Sequence, residues 1–126
     1  MAPALAVQND NLYIAWVNTN NVLTLGQVAL SESGVSGLTV IATTSHTSVN
    51  HPALASNGNL YLAWRGNGNY DLTIGRSTDN GQTLGAVLQS SQTSGVSPAL
   101  ASLNGTVYLA WTGTGNNQLN VARLNG

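Results

Sequence analysis

One phrase occurs three times in this chain, and no other feature restricts its fold as much. Pro3-Ala4-Leu5-Ala6 is followed by Tyr13-Ile14-Ala15-Trp16, Pro52-Ala53-Leu54-Ala55 by Tyr61-Leu62-Ala63-Trp64, and Pro98-Ala99-Leu100-Ala101 by Tyr108-Leu109-Ala110-Trp111. The prolines stand 49 and 46 residues apart and the tryptophans 48 and 47, a period of about 47. Seven or eight residues beyond each Trp lies a third matching segment: Leu23-Thr24-Leu25-Gly26-Gln27, Leu72-Thr73-Ile74-Gly75-Arg76 and Leu119-Asn120-Val121-Ala122-Arg123. Self-similarity of this kind marks a chain of stacked supersecondary units, none of which buries its apolar surface alone. By length, 126 residues suggest one ordinary domain; by repeat they are about 2.7 copies of one unit.

Each copy reads as strands. The Pro-Ala-Leu-Ala segment opens on a proline, which a sheet accepts at the first residue of a strand. Leu12 to Val17, Leu60 to Arg65 and Val107 to Thr112 are apolar at both odd and even positions, which predicts strands buried on both sides. Gln8-Asn9-Asp10-Asn11, Asn57-Gly58-Asn59 and Asn104-Gly105 supply residues that accept positive φ in tight hairpins. Asn18 to Asn21, Gly66 to Tyr70 and Gly113 to Asn117 form a second set of turns. A fourth strand is expected near Leu38 to Thr43 and near Leu84 to Ser90. No window combines a 3.6-residue apolar stripe with helix caps, so the chain is expected to be all-β. A four-stranded unit recurring every 40 to 50 residues points to β-propeller blades. The expected blades are residues 2–50, 51–96 and 97–126, four-stranded and antiparallel, the last lacking its outer strand.

Composition removes several classes of function. Only seven residues are charged, three of them Arg and none Lys, and the net charge is −1, against 16 Asn and 14 Gly. So little positive charge cannot neutralise many phosphates, which argues against nucleic acid and anionic membranes as partners. The absence of cysteine excludes disulfides, thiolate metal sites and cysteine nucleophiles. No apolar run approaches a membrane span, and no signal-peptide pattern opens the chain. Apolar residues make up 42% of the chain and fall in short regular segments, which argues against disorder.

Ser77-Thr78-Asp79-Asn80-Gly81-Gln82-Thr83-Leu84 resembles the Asp box, Ser-x-Asp-x-Gly-x-Thr followed by an aromatic, of the sialidase-like (BNR-repeat) β-propellers. An Asp can accept hydrogen bonds from the backbone of its own turn, Gly81 supplies a positive φ, and the Ser77 and Thr83 hydroxyls cross-brace the hairpin. Leu84 stands where the family places an aromatic. The corresponding stretch of the first copy, Leu30-Ser31-Glu32-Ser33-Gly34, is degenerate. In the family this motif is structural, so the resemblance implies a fold and not a chemistry.

The resemblance also implies a closed ring of six or more blades. Three blades left open would expose two large apolar faces, so self-assembly is expected. A homodimer closing six blades is the simplest solution, and a trimer of nine the alternative.

Blade topology would sort the loops onto two ends. The turns after each second strand and the links into the next blade share one end, which carries Asn18, Asn20, Asn21, His46, Asn50, His51, Arg65, Asn67, Asn69, Tyr70, Asp71, Thr112, Asn116 and Asn117. Neutral amides with a few aromatic and guanidinium groups suit hydroxyl-rich ligands, because Asn both donates and accepts; the competing reading is that they only make turns. Tyr70 has no counterpart in the other copies and less reason to be buried, which favours it as a ligand contact. The repeated Trp and Tyr residues read as packing between blades rather than as sugar platforms. Arg76 and Arg123 recur at equivalent positions, which argues for structure. His46, His51 and Asp71 are too few for a convincing metal site, so neither metal nor cofactor is expected.

Sialidase-like enzymes use three arginines, a Tyr nucleophile assisted by Glu, and an Asp acid/base, and glycosidases in general need two carboxyl groups across the scissile bond. Here Glu32, Asp10 and Asp79 fall on the opposite end from Asp71 and Arg65, and no catalytic residue carries over. Asn104-Gly105-Thr106 matches a glycosylation sequon but reads more economically as a hairpin turn. The sequence therefore favours a non-enzymatic, lectin-like propeller made of identical chains. A structural or engineered propeller fragment without a ligand comes second, and a glycoside hydrolase remnant third.

Overall fold

The computed structural model describes residues 2–67, 70–115 and 117–124. Among them every regular element is a strand: β1 (Ala4–Gln8), β2 (Asn11–Val17), β3 (Val22–Ser31), β4 (Gly34–Thr47), β5 (Ala53–Ser56), β6 (Leu60–Arg65), β7 (Asp71–Ser77), β8 (Gly85–Thr93), β9 (Ala99–Leu103), β10 (Thr106–Thr112) and β11 (Leu119–Leu124). They form three antiparallel meanders, β1-β2-β3-β4, β5-β6-β7-β8 and β9-β10-β11. The repeat is kept in the pairing. Trp16, Trp64 and Trp111 face Thr24, Thr73 and Asn120, while Leu5, Leu54 and Leu100 face Ile14, Leu62 and Leu109.

The tight turns take the conformations their residues favour. Asn9 (φ 51°), Asp10 (φ 64°), Gly58 (φ 108°), Asn104 (φ 51°) and Gly105 (φ 83°) close the first hairpin of each sheet in the left-handed region. The outer strands extend further than the sequence suggests. β4 has 14 residues, because β3 runs on to Ser31 and Glu32-Ser33 closes a two-residue turn between Ser31 and Gly34. Three register shifts along this pair break the simple apolar alternation, and that concealed the length.

Residues that pair across a sheet share a face, so each sheet has a forward face toward the next sheet in the chain and a backward face toward the previous one. The forward face of sheet 1 (Tyr13, Ala15, Val17, Leu23, Leu25) and the backward face of sheet 2 (Leu54, Leu60, Leu62, Trp64) form one core. The forward face of sheet 2 (Ala53, Ala55, Tyr61, Ala63, Leu72, Ile74) and the backward face of sheet 3 (Val107, Leu109, with Leu100, Trp111 and Leu124) form the next. The first strands β1, β5 and β9 run beside one another. Burial on both sides, expected for all three middle strands, holds for β6 alone. β2 and β10 alternate between buried and more exposed positions, because the sheets at either end have a neighbour on one side only.

A glycine in the third strand is explained by what lies over it. A Cβ on Gly75 would stand 2.8 Å from the side chain of Leu84, and one on Gly26 would stand 3.0 Å from Leu38 and from Trp16. Leu84 itself packs against the first core. Leu84 thus lies in a seat that the glycine opens.

Two buried serines recur at one end, and the first ties sheet 1 to sheet 2. Ser48 Oγ donates to the carbonyls of Arg65 (2.8 Å) and Asn50 (2.9 Å), and its N–H donates to Asn21 O (3.0 Å). Ser94, one repeat later, donates through Oγ to Val96 O (2.7 Å) and through N–H to Tyr70 O (3.0 Å). At the opposite end Ser56 Oγ donates to Gln8 Oε1 (2.5 Å) and Gln8 Nε2 to Asn80 Oδ1 (3.0 Å), tying sheet 1 to sheet 2. Asn57 Nδ2 donates to Gly105 O (3.1 Å) and ties sheet 2 to sheet 3.

Candidate functional site

The turns β2–β3, β6–β7 and β10–β11 and the links β4–β5 and β8–β9 all emerge at one end of the stack, where the staples of Ser48 and Ser94 draw them together. Asp71 opens β7 at this end, half-buried, with its carbonyl accepting from Gly66 N (2.8 Å). Asp10, Glu32 and Asp79 lie in turns at the opposite end, a strand length or roughly 20 Å away.

Arg65, the last residue of β6, organises the centre of the loop end. Its Nη1 donates to Gly95 O (2.7 Å), across the link into sheet 3. Its guanidinium carbon lies 4.4 Å from the ring centroid of Tyr70, within cation–π range. Tyr70 remains 48% exposed, and Asn67 beside it is exposed. Both partners are candidates from the sequence, but their contact exists only because the β6–β7 turn folds back over its own strand.

Tyr70 does have counterparts in the other copies. It stands two residues before the leucine of the third matching segment, as Asn21 and Asn117 do, and the three share one backbone conformation, with φ of 62°, 63° and 53°. Asn accepts the left-handed region through local hydrogen bonding, whereas a bulky side chain there is strained by roughly 1–2 kcal/mol. Two copies carry the comfortable residue, and the middle copy carries an aromatic.

The other predicted contacts divide. Asn18 turns its side chain inward: Oδ1 accepts from Asn20 N (2.9 Å) and Val22 N (3.1 Å), so this amide builds its own turn. Asn20 and Asn117 are exposed. Thr112 is half-buried, and its carbonyl accepts from Gly95 N at 3.4 Å. Asn50 completes the Ser48 staple through its backbone. Asn69 and Asn116 lie outside the described residues. His46 stacks obliquely on Trp64, centroids 5.1 Å apart and planes 44° from parallel, and His51 is exposed before Pro52. Among the described residues no three His, Asp or Glu side chains are grouped to hold a metal ion.

At the far end the Ser77–Thr83 turn closes on one carboxylate. Asp79 Oδ2 accepts from Thr83 Oγ1 (2.5 Å), and Oδ1 accepts from Thr83 N (2.9 Å) and Ser77 Oγ (2.8 Å). Gly81 N donates to Ser77 Oγ (2.8 Å), with Gly81 at φ 91°. The Thr83 hydroxyl and N–H, then the Ser77 hydroxyl, favour the charged form and lower the Asp79 pKa from 3.8 to about 2. This carboxylate is held by its own turn and is poorly suited to proton transfer near neutral pH. No protein-family model matches the chain, and no significant match exists among curated proteins.

Proposed function

We propose that the three sheets are successive blades of a β-propeller, that two copies of the chain close a six-blade ring, and that the loop end of this ring binds carbohydrate without transforming it. The observation that carries the binding is Tyr70. At a position where both other copies carry Asn, the middle copy accepts a strained backbone in order to present an aromatic ring. Arg65 fixes that ring from one side, and Asn67 adjoins it. An aromatic platform with neutral amides and one guanidinium suits a polyhydroxylated ligand, and repetition around a ring would multiply weak sites.

The distribution of carboxylates supports a role without turnover. Glycoside hydrolysis needs two carboxyl groups roughly 5–9.5 Å apart. Asp71 is separated by the length of a strand from Asp10, Glu32 and Asp79, and Asp79 is committed to its turn.

A glycan array probed with the assembled protein tests this reading. Binding is expected to be lost in Tyr70→Asn and weakened in Asn67→Ala, with thermal stability not lowered and assembled mass unchanged. Silence across diverse glycans would leave the second reading, a structural ring without a ligand. Asn18 favours that alternative, because its side chain is consumed by its own turn.

A further inference from the structure

Two apolar faces have no neighbour among the described residues: the backward face of sheet 1 and the forward face of sheet 3. We infer that they are the two halves of one interface, the forward face of sheet 3 in one chain docking on the backward face of sheet 1 in a second copy, head to tail. This rests on the ring reading above and is independent of the carbohydrate.

The forward face of sheet 3 carries a shallow cavity of about 250 Å³ whose lining includes Ala99, Ala101, Tyr108, Ala110 and Val121. The repeat equates these with Ala4, Ala6, Tyr13, Ala15 and Leu25 of sheet 1. There they pack in one core with Leu54 and Leu62 of sheet 2. Leu5 and Ile14 are the counterparts of Leu54 and Leu62 on the free backward face, and Leu5 is 57% exposed. The chain thus carries both an unfilled seat and the unplaced side chains that fill its equivalent between sheets 1 and 2.

A second observation is independent of the cavity. Between sheets 1 and 2 the polar lock is Gln8 with Ser56. One repeat step places Leu103 where Gln8 would be and Val7 where Ser56 would be. They are 63% and 66% exposed. Both members of a hydrogen-bonded pair are therefore replaced by apolar residues, one on each free face. Two such substitutions bring no benefit facing water, but they match if they meet. The direction follows as well. Like faces would set alanine shelf on alanine shelf or leucine on leucine, whereas unlike faces repeat the junction already made twice, so the contact is heterologous.

The chain has no cysteine, which makes the contact easy to trap. With a short bis-maleimide, Val7→Cys/Leu103→Cys is expected to cross-link between chains, while each single variant is not. Light scattering is expected to give a whole-number multiple of the chain mass for the wild type and one chain mass for Val7→Asp. Circular dichroism should be unchanged in that variant, because Val7 touches neither internal core. Val7→Ser/Leu103→Gln rebuilds the polar lock of the first junction and should retain the assembly that Leu103→Asp loses. Cross-linking of either single variant, or a monomeric wild type at tens of micromolar, would overturn the inference. Loss of glycan binding in Tyr70→Asn with the mass unchanged bears only on the carbohydrate reading.

Discussion

The middle sheet and the two outer sheets are written in nearly the same residues and live in different surroundings. Every residue from Leu60 to Trp64 is buried, and Trp64 is 2% exposed. Its counterpart Trp16, on the backward face that no sheet among the described residues covers, is only half-buried. The repeat therefore encodes a junction rather than a finished core: an alanine-rich forward face, a leucine and tryptophan backward face, and a rule for joining them. A unit becomes fully buried only when it has a neighbour on both sides.

The strongest way to break this contrast is to truncate the same repeat position in two sheets. Leu62→Ala should destabilise the chain by about 3–4 kcal/mol, the range for a fully buried leucine. Ile14→Ala, its counterpart on a free face, should cost about 1 kcal/mol in dilute chemical denaturation, with a further loss that grows as protein concentration rises. Equal costs at all concentrations would show that the end faces are not held in reserve.

Next in size are the two buried serines, which differ in reach. The Ser48 hydroxyl donates to Arg65 O in sheet 2, whereas the Ser94 hydroxyl donates to Val96 O, two residues on. Removing a buried hydroxyl leaves its carbonyl without a donor, so Ser48→Ala should cost about 1–3 kcal/mol by urea denaturation and Ser94→Ala less. Equal costs would mean that the bond across the first junction adds nothing.

Acid should sharpen the comparison between the hairpins. Asp79 has its pKa lowered in the folded state, from 3.8 to about 2, so its stabilising contribution is complete above about pH 4 and is lost as the pH falls from there toward 2. Amide exchange of Gly81 and Thr83 should quicken across that window. The hairpin of sheet 1, closed by Glu32-Ser33 without such a carboxylate lock, should not follow it. Asp79→Asn should remove the response.

The smallest effect concerns Tyr70. Tyr70→Asn gives the middle copy the residue of its neighbours, relieving roughly 1–2 kcal/mol of strain against about 0.5–1 kcal/mol of exposed cation–π contact. The variant should be as stable as the wild type or more stable by up to about 1.5 kcal/mol, read from its thermal midpoint. A clear loss of stability would mark Tyr70 as a structural residue.

Much of the architecture was legible because it lies in short-range pattern. Pro-Ala-Leu-Ala, the Tyr-x-Ala-Trp strands and the Asn/Gly turns each carry their own local signal, and the meander joins them in sequence order. What escaped is what depends on two segments meeting. Ser48 and Ser94 sit four residues before Pro52 and Pro98, a recurrence visible in the letters, yet the role of Ser48 follows only from a carbonyl 17 residues along the chain. Gln8 reaches Ser56 and Asn80 across 48 and 72 residues. Asn18 dissolved into turn chemistry for a related reason: an amide that caps its own loop and one that waits for a ligand are the same letter. Tyr70 stood out as an aromatic in a turn, and its alignment with Asn21 and Asn117 is in the letters, but the left-handed backbone that the three share is not.

Every sheet here is a meander whose strands pair with their sequence neighbours, and this has a consequence for how the molecule forms. Contacts of low sequence separation close quickly, so residues 4–47 can complete sheet 1 while the rest of the chain is still emerging during synthesis. Each later sheet then condenses on one already formed. If the end faces close head to tail, the last event is an encounter between two prefolded chains. The rate of that event is set by concentration, so dilution would stall maturation at a species with native strands and bare ends.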